Sequence, residues 1–317
     1  RQIVRALALL FPSVILLSAC ASLLGAGAHL LAAEFMERFG AEPVTFATWA
    51  AWGVPFALAS SACATGLILS LFMDGETRAR PLKLACERPA ALTHHQKWTA
   101  LIAALTLLAW ATTGWHGVDA SLIAMVGGLI ITCKPLTGMD MKSALKKVEW
   151  NLVLFLAATL VMGEALVQSG AARWIADTAL RVVPLAELEP MSVILLAAVI
   201  ALVSHLLIPS RTARALVLLP TVALPMAANG LNPALLVMVC VMGSGFCQTL
   251  VISAKPVALF ARAELPAELG HADHPIDGQL LKLSLALLPV MLVLLGGFAW
   301  AVWPLLGIPL HLPTHAG

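Results

Sequence analysis

Ser210, Arg211 and Thr212 form a polar tip inside apolar sequence, H-L-L-I-P-S-R-T-A-R-A-L-V-L-L-P from His205 to Pro220. Two hydroxyls beside a planar guanidinium suit one chemistry, the binding of an oxyanion. The hydroxyls can cap a helix N-terminus, or donate to a ligand carboxylate alongside the exposed N–H groups there. The fork of Arg211 matches a carboxylate or sulfate bidentately. Arg214, one turn along, is expected to face the scaffold rather than a ligand. Ser253-Ala254-Lys255-Pro256 carries a second cation, and Glu34 closes an early apolar stretch. An intramembrane ionisable residue suggests function and a partner. Glu34 is expected to pair with Lys255 or Arg211, to carry protons, or simply to end a helix in solvent. His29 and His205 read as hydrogen-bonded core residues ahead of proton relays, and Glu164 as a span-end group or one facing a pathway. His94, His95, His271, Asp273 and His274 are too irregularly placed for a metal site, and no phosphate-binding loop, H-E-x-x-H or G-x-S-x-G is present.

These residues need a membrane around them. Of 317 residues 60% are hydrophobic and 11% charged, with a mean hydropathy of +0.93. Soluble domains carry about 25% charged residues, so the composition specifies an all-α polytopic membrane protein. Residues 215–254 contain no Asp, Glu, Lys, Arg or His. One span takes roughly 20 residues, so this run is two segments meeting at the turn Asn229-Gly230-Leu231-Asn232-Pro233. The net charge of +2 is spread over short loops, which excludes a nucleic-acid stripe. The six cysteines, Cys20, Cys63, Cys86, Cys133, Cys240 and Cys247, form no C-x-x-C pair and read as small packing residues.

Apolar stretches are expected at 6–33, 43–73, 98–116, 120–133 and 150–163, followed by a mixed segment at 173–188 that suits an interfacial helix or a loop under a bundle. Two arms, 190–209 and 213–228, flank the polar tip. A helix over 233–261, a loop over 262–282 and a last span over 283–303 complete the order. Broken backbone and cations inside hydrocarbon are tolerated only where protein buries them or a wet cavity receives them. The tip is thus either a re-entrant hairpin facing a solute, or a loop whose Arg211 and Arg214 snorkel to headgroups. Lys and Arg in the 1–5 end, in 74–97 and in 134–149 place those segments in the cytoplasm. The same count brings the hairpin in from outside and leaves the C-terminus outside.

Ser210–Pro220, with M-G-S-G-F-C-Q-T-L-V-I-S-A-K-P-V-A-L-F-A (Met242–Ala261) at matching distance, resembles the divalent anion:sodium symporter family. That family carries Ser-Asn-Thr on each of two re-entrant hairpins in inverted repeats, each followed by a broken helix with a Thr-Pro-Pro-Asn-like loop. By the resemblance, Ser253-Ala254-Lys255-Pro256 takes the second such place. The Trp-led span W-N-L-V-L-F-L-A-A-T-L-V-M-G-E-A-L-V-Q-S-G (Trp150–Gly170) opens the second hairpin unit. A-S-L-L-G-A-G-A-H-L-L-A-A-E-F (Ala21–Phe35) resembles the first broken helix, with Ala32-Ala33-Glu34-Phe35 in its loop. The resemblance implies residues 1–73 as the end of a first repeat, 74–97 as a cytoplasmic linker and 98–317 as a second repeat. Within that repeat it implies hairpin 190–228, broken helix 233–261 and last span 283–303. A first hairpin is expected to precede Arg1.

The implied activity is secondary transport of a dicarboxylate, citrate or sulfate across a bacterial inner (plasma) membrane by a homodimer, without enzymatic chemistry. Substrate binding falls on Ser210, Arg211, Thr212, Ser253 and Lys255. Ion or proton coupling falls on Ser22, Gly25, His29, Glu34 and Ala254. Sodium is the implied coupling ion, with no other cofactor. Yet Arg211 stands where the family has Asn, and Lys255 stands in the second loop. Both positions therefore argue for tethered positive charge in place of sodium. Arsenite or sodium/proton exchange on a related fold, a truncated non-transporting chain, and an intramembrane enzyme using His205, Arg211 and Arg214 are the alternatives.

Overall fold

A computed structural model describes residues 2–38, 43–79, 90–148, 188–208, 210–227, 230–250 and 276–311. It also describes scattered positions between 150 and 178, and Ala254, Pro256, Val257 and Phe260. Regular structure among the described residues is helical apart from one bridge between Leu231 and His311. Among the described residues, three helices are long and apolar enough to cross a membrane, Gln2–Ala21, Phe46–Phe72 and Gly278–Leu305. The expected all-α membrane class is therefore present. Glu164, Ser253 and Lys255 lie outside the described residues, as do Arg173, Asp177, Arg181 and most of the 262–282 loop.

The helices that matter are α1 (Gln2–Ser18), α2 (Gly27–Arg38), α3 (Phe46–Phe72), α4 (His94–Ala111), α5 (Ala120–Ile131), α6 (Pro190–Val203), α7 (Arg211–Leu218), α8 (Pro233–Gly243) and α9 (Ile276–Gly297). The chain groups into two units, one of residues 1–44, 50–80 and 159–317, the other of 45–49 and 81–158.

In the smaller unit α4 packs on α5. Thr93 opens α4 with a capping box, accepting from the Gln96 amide while the Gln96 side chain accepts from Thr93 N–H. Asp119 caps α5 as a simple N-cap, its Oδ1 accepting from the Ser121 and Leu122 amides. Leu101, Leu105, Leu108, Leu122, Met125 and Leu129 remain exposed. A soluble protein would bury such a surface; lipid covers it in a membrane.

The larger unit is built around α8. Asn232 caps it at Ala234 N (2.9 Å), Pro233 starts it, and Leu235–Gly243 are all buried. α6 lies against α8 and α9, while α7 lies against α2, which also touches α8. Phe56 on α3 meets Phe298 edge to face at 5.2 Å, and Trp52 Nε1 donates to Leu306 O at 2.9 Å. These contacts fix α3 to the C-terminal end of the last span.

Several expected boundaries move. The last span begins at Ile276, so Lys282 sits within a helix with its ammonium 5.7 Å from the Phe72 ring centroid. The second arm passes through a π turn at Leu219–Ala223, where Pro220 withholds an amide. The first break is also displaced. Ala32-Ala33-Glu34-Phe35 is regular α2, and the chain unwinds earlier, through short 3-10 turns at Ala19–Ala21 and Leu23–Gly25. The reason is local. Ala-Ala-Glu-Phe has no breaker, whereas Ser22 caps Leu24 N and Gly25 leaves no room for a side chain. A Cβ on Gly25 would stand 2.0 Å from Ala19 O.

Candidate functional site

Between α6 and α7 the backbone turns through Ser204–Leu206 and resumes as a helix at Arg211, giving a helix–break–helix about the expected tip. Ser210 is the N-cap of α7, its Oγ accepting from Ala213 N at 3.3 Å. Its side chain is exposed and Thr212 is half-buried in the same first turn.

Arg211 reaches inward to where two unwound segments come together. Its Nη2 donates to Cys20 Sγ in the first break (3.1 Å) and to Val241 O near the end of α8 (3.5 Å). Its Nε donates to Ser244 Oγ, the residue at which α8 ends, at 3.4 Å. Gly245 makes the approach feasible, since a Cβ there would lie 3.0 Å from Arg211 Nη2 and 3.2 Å from Cys20 Sγ.

Arg214 is fully buried. Its Nη2 donates to Ser244 O at 2.8 Å and Cys247 Sγ at 2.9 Å, and its Nη1 to Phe246 O at 3.4 Å. It thereby satisfies carbonyls that the unwinding of α8 leaves without helical partners. Among the described residues, neither guanidinium bonds a carboxylate. Two positive charges thus sit at the N-terminal turn of α7, where the peptide dipoles also favour an anion. A sodium ion beside them would be repelled.

His29 and Ser22 belong to the first break. His29 is buried and its Nδ1 bonds Ser22 O at 2.8 Å, so that nitrogen carries the proton. His205 forms a second link: Nδ1 bonds Leu202 O (2.6 Å), Nε2 bonds Thr249 Oγ1 (2.6 Å), and Thr249 Oγ1 bonds Ser284 Oγ (2.5 Å). That chain of bonds ties the end of α6 to the second break and to α9. Glu34 is elsewhere. It is 46% exposed and pairs with Arg38 one turn on at 3.0 Å, not with Arg211. A helical i, i+4 neighbour is always in reach, which a distant cation is not. Ala254 is half-buried beside the apolar cluster of Ala6, Leu9, Ile68 and Leu283.

Four contributors were missed in the sequence: Ser244, Gly245, Cys247 and Gln248. Cys20 and Cys247 are not mere packing residues, because each accepts from an arginine. The signal was the run Gly243-Ser244-Gly245 closing a helix, a breaker pattern well before Ser253.

Residues 1–306 match the family described as sodium:sulfate symporter transmembrane region. A curated protein from Cupriavidus necator, named only "Membrane protein", is 28% identical over 201 residues, which cover 62% of this chain and 39% of that protein. The chain therefore spans well under two thirds of that relative's length.

Proposed function

The chain belongs to the sodium:sulfate symporter transmembrane-region family, and on that premise we propose that it carries a small divalent anion across a bacterial inner membrane without sodium at the hairpin tip. It is an integral membrane protein, and its family is one of transporters. The supporting observation is Arg211, a cation held by Cys20 and Ser244 where the two breaks meet. Sulfate, citrate and a C4 dicarboxylate all present paired oxygens to which a guanidinium fork and the Ser210 and Thr212 hydroxyls can donate. Lys255 adds a second cation to the same reading. The positive charge that sodium would bring is then already covalently present, and the cycle runs as anion exchange or with protons. Movement of the substrate-bearing elements against a scaffold, inverted repeats, a re-entrant hairpin and a homodimeric assembly belong to this proposal through the family.

Uptake of labelled sulfate and succinate into proteoliposomes, with sodium exchanged for potassium or choline, tests it. Uptake is expected to be unchanged by the exchange and to fall about 10–100-fold in apparent affinity in Arg211→Asn, the loss of a charge-assisted hydrogen bond of ~1.5–3 kcal/mol. Sodium-dependent uptake that Arg211→Asn leaves intact would sink it.

A further inference from the structure

Among the described residues, two buried donors at the second break, Arg214 from α7 and Gln248 in the break itself, remain after the hairpin tip is accounted for. Arg214 and Gln248 are both 0% exposed. Arg214 Nε and Gln248 Nε2 have no hydrogen-bond partner among the described residues. Both side chains are anchored on Cys247, Arg214 through the thiol at 2.9 Å and Gln248 through Oε1, which accepts from the backbone amide at 3.0 Å. Since both leftover groups are N–H donors, an acceptor is what completes them. Charge narrows the choice. Among the described residues, every acceptor on Arg214 is a neutral carbonyl or thiol, and an isolated buried cation is strongly unfavourable. A water molecule would satisfy the donors and leave the charge. An anion satisfies both, and the N-terminal turn of α7 adds its own positive potential.

We propose that the second break holds a resident chloride ion, ligated by Arg214 Nε and the Gln248 carboxamide, as a structural counter-ion distinct from the transported anion at the hairpin tip. It keeps the guanidinium neutralised while Arg214 bonds the unwound carbonyls, and so holds the break open in its unwound form. The proposal does not rest on the transport reading. Sodium-dependent uptake would defeat that reading and leave the chloride site untouched.

The experiment is thermal unfolding of the purified protein in detergent, with sodium gluconate replaced stepwise by sodium chloride or bromide at constant ionic strength. Ligand bound only by the folded state raises Tm in a saturable way. A saturable rise of several degrees is expected in the native protein and in Arg211→Asn alike. Gln248→Glu supplies the counter-charge covalently, so its Tm in gluconate should match that of the native protein in chloride, with no further halide response. Gln248→Leu should melt lower and lose the response; should it fail to fold, the Gln248→Glu comparison decides alone. No halide response in the native protein, or an undiminished one in Gln248→Glu, overturns the proposal. Stabilisation by sulfate or succinate alone, lost in Arg211→Asn, also overturns it, by assigning the anion to the tip.

Discussion

Arg211 and Arg214 are three residues apart on one helix and do different work. Arg211 is half-buried at the tip with its fork spanning a thiol, a hydroxyl and a carbonyl. Arg214 is sealed inside and serves backbone acceptors. The difference predicts divergent substitutions. Arg211→Lys keeps the charge but loses the Nε–Ser244 bond and the planar fork. Its uptake should stay sodium-independent while apparent KM rises several-fold, measured with labelled sulfate. Glycine matters at this scale too. Gly25→Ala places a methyl 2.0 Å from Ala19 O. The backbone of the first break must shift, at a cost of about 1–3 kcal/mol for overpacking. A lower Tm with loss of uptake is the expected result, checked by detergent melts and proteoliposome flux.

At the scale of elements, the two breaks are held by different means. The first depends mainly on its own sequence, with Arg211 reaching it only at Cys20 Sγ: Ser22 caps, Gly25 admits the close turn, and His29 bonds back to Ser22 O. The second depends on partners, Arg211 and Arg214 from α7 and the His205–Thr249–Ser284 links from α6 and α9. A break held from outside can be loosened from outside. Thr249→Val removes one hydroxyl from the middle of those links, leaving His205 Nε2 and Ser284 Oγ unmatched, at a cost of about 1–3 kcal/mol. Amide hydrogen exchange should then speed up in 244–250 and stay unchanged in 19–26. Equal acceleration in both segments would mean that the two breaks open together.

On the scale of the molecule, charge placement predicts the orientation of the chain in the membrane. The Lys-rich segment 134–149 lies in the smaller unit, and its short helix Met141–Lys147 is capped by Asp140 through Ser143. Lysines in short loops remain on the cytoplasmic side. A cysteine placed at exposed Lys142, with Cys86 and Cys133 replaced by serine, should react with an impermeant maleimide in inside-out vesicles and not in intact cells. Labelling in intact cells would reverse the topology and bring the hairpin in from the cytoplasm.

The sequence by itself determined the membrane class and the cap at Ser210. A hydrophobic share of 60% and charge-free runs require hydrocarbon as solvent, and Ser210, Asn232 and Thr93 act on amides within three residues of themselves. Such signals are local, so a linear reading can reach them, as it did at Ser210 and did not at Asn232 and Thr93. It also found the tip, because a cation between apolar arms is costly and therefore conspicuous. What only the tertiary structure decided was partnership. Cys20 and Arg211 are 191 residues apart in the chain, and no spacing rule connects them. Packing also sealed Arg214 against the second break; the first unwound loop at Ala19–Gly25 and the Glu34–Arg38 pair are local features that the linear reading nonetheless missed. Burial and long-range hydrogen bonds depend on which faces meet, and that is fixed only when the helices pack.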